Sequence, residues 1–168
     1  MNLHSKIKGG LGIAEVCCDL ISKGIPVFSE VFCDLSDIDL IAECKGNLYK
    51  IQVKTCSSKN GGAELVLRSC GPNGYNKTYS ASLIDIFALY VMDKDLILYV
   101  DANLALQRKT IMSFRLENPK NSQKTGINWY KDFMFPSFLR DYTCPTLTDH
   151  VEGKDIVQTT TDTPLSGS

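Results

Sequence analysis

Histidine is almost missing: the 168 residues hold two, His4 and His150. The seven cysteines, at positions 17, 18, 33, 44, 56, 70 and 144, include no C-x-x-C pair. A zinc site is therefore not expected. An odd cysteine count, with most of the thiols inside apolar runs, points to small buried hydrophobes in a reducing compartment rather than a disulfide framework. No apolar run of about 18 residues occurs, so no transmembrane helix is expected. The N-terminal lysines are not followed by a continuous apolar stretch, so no secretory signal is expected either. Internal repeats are absent. Gly9-Gly10-Leu11-Gly12 follows no strand, so it is not a phosphate-binding fingerprint.

Net charge is also nearly absent, at −1. Its distribution is uneven. Between Lys45 and Lys131 there are thirteen Lys/Arg against six Asp/Glu, and the other acids lie before residue 44 or from Asp132 onward. One face can then be basic while the whole is neutral. The length and the 43% hydrophobic content fit one domain, taken as residues 1–142. From Thr143 the chain turns to Thr, Asp, Gly and Ser, with four acids against one lysine. Residues 143–168 are expected to be a disordered acidic tail.

The order of elements predicts an α/β domain. Residues 3–23 read as a helix, with Leu11, Ala14, Cys18 and Ile21 at helical spacing, Leu20 and Cys17 alongside, and Lys23-Gly24 as its end. Its three early glycines weaken the helix but allow a close backbone approach. Residues 25–33 read as a strand, 64–68 as a short strand, and 69–80 as a long loop. Leu83–Val91 and Leu96–Asp101 read as a hairpin around Met92–Asp95. A short helix over 103–109 and a last strand over 110–116 follow. Residues 118–126, with Lys120 and Lys124, read as a loop. The aromatic stretch 127–142 (Trp129, Tyr130, Phe133, Phe135, Phe138) is expected to close the core.

The chemistry concentrates in Ile38–Thr55. Two β-prone runs flank Lys45-Gly46-Asn47, which is turn chemistry. In the second run Lys50, Gln52 and Lys54 alternate with Tyr49, Ile51 and Val53, so the polar side chains share one face. With an even number of loop residues, Asp39 lies opposite Gln52 and Asp37 opposite Lys54. A three-residue loop would send Asp39 to the other face. In the even register a carboxylate, an amide oxygen and an ammonium converge. Such a group suits metal-assisted phosphodiester hydrolysis: the carboxylate holds a hard cation and the lysine orients water or offsets charge. The plain alternative is a cross-strand Asp–Lys pair on a solvated face. Glu15, on or beside the apolar stripe of the first helix, calls for a partner such as a metal or Lys54. The tyrosines and lysine of the 69–80 loop can pack on sugars, phosphates or bases.

A helix carrying Glu15, a strand, Asp39 early in the next strand, and Gln52-Val53-Lys54 on the one after resemble the PD-(D/E)XK nuclease superfamily. Gln52 in place of the usual second acid resembles the intron-encoded homing endonucleases of that fold. So do Ile84–Tyr90 and Ile127-Asn128-Trp129 with Asp132-Phe133. Archaeal Holliday junction resolvases are similar over the first half. The resemblance spans roughly residues 8–135. It implies a restriction-endonuclease-like core, a central mixed sheet flanked by helices. It implies a Mg²⁺-dependent endonuclease acting on double-stranded DNA, working as a dimer or tetramer among the nucleoid in the cytoplasm. Glu15, Asp39, Gln52 and Lys54 would be catalytic. Glu15, Asp39, Gln52 and Val53 would hold the metal, with Asp37 as runner-up. Lys59, Asn60, Tyr75, Lys77, Tyr79, Lys120 and Lys124 would reach the DNA. Rival readings are a structure-selective resolvase, a decayed fold kept for binding nucleic acid or protein, and an RNA endonuclease.

Overall fold

The computed structural model describes residues 4–29, 37–70, 76–108, 110–118 and 125–136, without the side chains of 69, 70, 76 and 77. Tyr75, Lys120, Lys124, Phe138 and the whole of 143–168 lie outside the described residues. Among the described residues no helix is long and apolar enough to cross a membrane.

Helix α1 spans Ser5–Ser22 and ends as expected at Gly24, whose φ of +74° suits glycine. Five strands form the central sheet: β1 (Val27–Ser29), β2 (Leu40–Cys44), β3 (Asn47–Cys56), and two later ones described below. Between these groups lie β4 (Gly62–Val66), β5 (Arg68–Cys70) and β6 (Asn76–Thr78). The chain then enters β7 (Ile86–Val91), β8 (Leu96–Asp101), helix α2 (Ala102–Leu106) and β9 (Ile111–Arg115), and closes on a 3₁₀ turn at Tyr130–Phe133. The sheet order is β1-β2-β3-β7-β8. Only β3 and β7 run parallel, so the sheet is mixed.

All six residues of β7 are buried, as expected of a strand covered on both faces. On one face Val16 and Leu20 of α1 pack over Leu40, Ile51, Val53 and Ala88. On the other, Phe87, Leu89 and Leu98 lie under Leu65 and Phe114 of a separate β4–β9 ribbon. The α2 residues Ala102 and Ala105 join this second core. Phe133 stacks edge-on against Phe114, with centroids 5.0 Å apart.

Three expectations are corrected here. Leu20 is buried as expected, but the buried stripe of α1 is Gly12, Val16 and Leu20; Ala14 and Cys18 are exposed, and Ile21 is 60% exposed. The period is right but the phase differs. The helix lies down on its glycine: a Cβ at Gly12 would stand 2.0 Å from Thr55 Oγ1, whereas Gly9 and Gly10 face open space. Residues 69–80 are not all loop, because β5 and β6 pair antiparallel. The last strand, expected over 110–116, is β9, which pairs with β4 outside the central sheet. Phe135 is 57% exposed and does not close the core.

Candidate active site

The hairpin turn is Lys45-Gly46, with φ of 54° and 75°. Positive φ at both central residues is the type I′ turn, whose twist matches the strands it joins. Cys44 pairs with Asn47 and Leu40 with Ile51, so the register is the even one and Asp39 arrives beside Gln52.

What alternation alone does not foresee is the bulge at Asp39. Leu40 is Ile51's ladder partner, yet the Asp39 N–H also donates to the Ile51 carbonyl, at 2.9 Å. Two successive residues set against one is a β-bulge, a device that re-aims a side chain and ends pairing. The β2–β3 ladder stops there, so Asp37 has no ladder position opposite Lys54. Beyond that point the Val53 N–H and C=O face the gap that β2 has vacated. Side chains fill it. The Val53 N–H donates to Asp39 Oδ2 at 2.6 Å. The Gln52 amide donates to the same Oδ2 and to the Val53 carbonyl, the latter at 3.2 Å. Gln52 is only 7% exposed, the one buried polar residue among those described. Buried amides are held by such partners.

Lys54 follows on the same strand face as Gln52, opposite α1. Its Nζ donates to the Tyr79 hydroxyl and lies 4.7 Å from the Tyr79 ring centroid. Tyr79 is itself 7% exposed and packs edge-on to Phe87, with centroids 5.4 Å apart. The expectation that Tyr79 offers an open stacking surface to DNA is corrected: it is a core residue that holds Lys54. Sequence reasoning missed this pairing because the partners stand 25 residues apart and nothing local marks it.

Glu15 is half-buried on the α1 side of the sheet. Its charge acts on Tyr90, whose phenol is pushed up first by burial and then by Glu15 and Asp95. It borders a cavity of about 410 Å³ with Asp19, Lys23 and Asp95. The structure thus joins Asp39, Gln52, Val53 and Lys54 through the hairpin, and brings Glu15 to the sheet from the helix side.

Lys59 and Asn60 sit in a tight turn closed by mutual Lys59–Gly62 backbone bonds of 2.8 and 3.0 Å. With Ser113, Arg115 and Asn128 they rim a cavity of about 340 Å³ at the end of the β4–β9 ribbon. Lys77 lies on β6, with its side chain outside the described atoms.

Two oxygens at the bulge, of the Asp39 carboxylate and the Val53 carbonyl, suit a hard divalent cation, while the Gln52 amide turns its N–H₂ to both of them. Turning the Gln52 amide over would exchange its N–H₂ for its oxygen at the same place. Among the described residues no three His, Cys, Asp or Glu side chains cluster, so neutral oxygens would make up part of any such set.

The fold resembles that of a solved structure titled as a bacterial homing endonuclease, I-Ssp6803I. The match has a TM-score of 0.63 and 18% identity over 73% of this chain and 86% of that one. A search of curated proteins finds no match. A profile of the PD-(D/E)XK endonuclease family matches residues 3–136, which takes in the helix, the bulged hairpin and the β4–β9 ribbon, and the chain belongs to that family of endonucleases.

Proposed function

We propose that this endonuclease hydrolyses phosphodiester bonds of duplex DNA with Mg²⁺, at a defined site, as a homing-type enzyme. The observation that carries the reading is the junction at the bulge, where the Asp39 carboxylate, the Gln52 amide and the Val53 carbonyl meet beside Lys54. A cation bound there supplies the charge that stabilises the developing negative phosphate and favours ionisation of water. Asp39 and the Val53 carbonyl would hold it, with the Gln52 oxygen once the amide has turned over. Lys54, an ammonium with three donors, orients the attacking water and offsets charge as the bond to the leaving sugar oxygen breaks. Glu15, which the family resemblance would add as a further carboxylate for the same cation, stands on the α1 side of the sheet beside Tyr90 and Asp95. Lys59, Asn60 and Arg115 line the ribbon end that would follow the DNA backbone.

One such site cuts one strand, so a double-strand break calls for two copies in a dimer or tetramer. The homing-type reading is favoured by the likeness to a solved homing endonuclease. The test is cleavage of supercoiled plasmid, linear duplex and a four-way junction, with Mg²⁺ and with EDTA, by wild type and Lys54→Ala. Cutting that needs Mg²⁺ and Lys54, with cut ends mapping to one sequence, is the expected result. Preference for the junction without sequence bias would mark a resolvase. No cutting of any substrate would sink the nuclease mechanism for this site.

A further inference from the structure

Lys54 is tethered from outside its own strand. Its ammonium donates to the Tyr79 hydroxyl and lies 4.7 Å from the centre of the same ring. Tyr79 is fixed in turn, since it packs edge-on to Phe87 at 5.4 Å, and Phe87 is the β7 residue paired with Gln52 across the parallel ladder. The tyrosine therefore spans two strands of the central sheet, with its ring over the Gln52 pair and its hydroxyl on Lys54. It follows directly on β6, so the segment that aims the ammonium is the one that fastens the β5–β6 pair to the core.

We infer that Tyr79 is a positioning residue for Lys54: it sets the direction of the ammonium toward the scissile phosphate without neutralising it. The chemistry of the acceptor is the argument. A carboxylate partner would form an ion pair and cancel much of the charge that Lys54 brings to the phosphate. A hydroxyl and an aromatic face restrain the same long, flexible side chain through one hydrogen bond and a cation–π contact. Two N–H donors of the ammonium remain for water and phosphate oxygen. Because Tyr79 is buried, its hydroxyl meets Lys54 rather than bulk water.

The inference rests on the nuclease reading above, so its test has two arms. In the first, Tyr79→Phe keeps the ring on Phe87 and removes only the hydroxyl. Single-turnover cleavage should slow by about 3- to 10-fold, the effect of one lost net hydrogen bond. The KM for DNA should not change. In the second, the rate at which an amine-acylating reagent modifies Lys54 at one fixed pH is followed by peptide mass spectrometry. That rate should rise severalfold in Tyr79→Phe, because the side-chain nitrogen is no longer held on the hydroxyl and meets the reagent more often. Cleavage at the wild-type rate, or an unchanged Lys54 acylation rate, overturns the inference. If wild type cuts no DNA with either Mg²⁺ or Mn²⁺, the catalytic role falls together with the nuclease reading. A changed acylation rate would then show that the fault lay in the reading and not in the contact.

Discussion

The backbone N–H of Val53 donates to the Asp39 carboxylate at 2.6 Å, across a gap where β2 no longer pairs with β3. A side chain has replaced the ladder. That makes Asp39 structural before it is catalytic, since the Val53 N–H and the Gln52 amide both depend on it.

Asp39→Ala should therefore destabilise the metal-free protein as well as abolish cleavage. Leaving these part-buried donors without an acceptor costs about 1–3 kcal/mol. Asp39→Asn retains an acceptor oxygen for Val53 but loses the charge. It should recover most of the stability and little of the activity. Urea denaturation beside plasmid cleavage separates the two effects; equal stability of wild type and Asp39→Ala would refute the structural half.

Gln52 makes the cation-free site self-sufficient, because an amide N–H meets the carboxylate that a second acid would repel. Gln52→Glu places two carboxylates together, and like charges so close disfavour joint ionisation. The variant should melt below wild type in EDTA and gain more from Mg²⁺, because a ligand that binds only the folded state raises its midpoint. Melting curves with and without Mg²⁺ give the answer. A variant as stable as wild type in EDTA would mean that the Gln52–Asp39 contact contributes nothing.

The hairpin was legible because its signals are local, turn residues and then alternation, though they leave the loop length open, and the register is fixed only by the two-residue turn at Lys45-Gly46. The bulge was not, since it depends on how the backbone leaves the ladder. The phase of α1 was missed for a different reason. Leu11, Ala14, Cys18 and Ile21 keep the helical period among themselves, while Gly12 presents no side chain to count, yet it is the point of closest approach. Ribbon β4–β9 joins Gly62 to Arg115, too far apart in sequence for periodicity to connect. Tyr79 was read as an exposed aromatic because its partners, Lys54 and Phe87, come from two separate strands.

The glycines of α1 should respond in opposite directions. At Gly10 an added Cβ meets nothing within 4 Å, so Gly10→Ala should stabilise by about 0.5–1 kcal/mol through helix propensity. At Gly12 the Cβ would meet Thr55 Oγ1 at 2.0 Å and Thr55 Cβ at 3.3 Å. Forcing a methyl into that contact should cost about 1–3 kcal/mol. Thr55→Ala in the same chain should restore much of the loss. The Thr55 hydroxyl is buried without a hydrogen-bond partner, so removing it sacrifices no bond. Denaturation midpoints of the four proteins decide the matter; a stabilising Gly12→Ala would contradict the close approach.

Alkaline pH should expose the Tyr99–Asp19 contact, which ties β8 to α1. The Tyr99 hydroxyl donates to Asp19 Oδ2 at 2.5 Å. Burial, and next that hydrogen bond to a carboxylate, hold the phenol well above its ordinary range. The folded state therefore keeps the proton at pH values where the unfolded chain releases it. This contribution is whole below the unfolded tyrosine value of about 10 and is lost as pH rises past it, at up to about 1.4 kcal/mol per pH unit. Tyr99→Phe should be less stable at neutral pH, because Asp19 loses a donor, though Lys23 still pairs with it. Above about pH 10 the variant lacks this loss, so the two stability curves should converge. Urea unfolding at intervals from about pH 8 to about pH 11 measures it. Curves that stay parallel would mean that Tyr99 ionises as freely in the folded protein as in the unfolded chain.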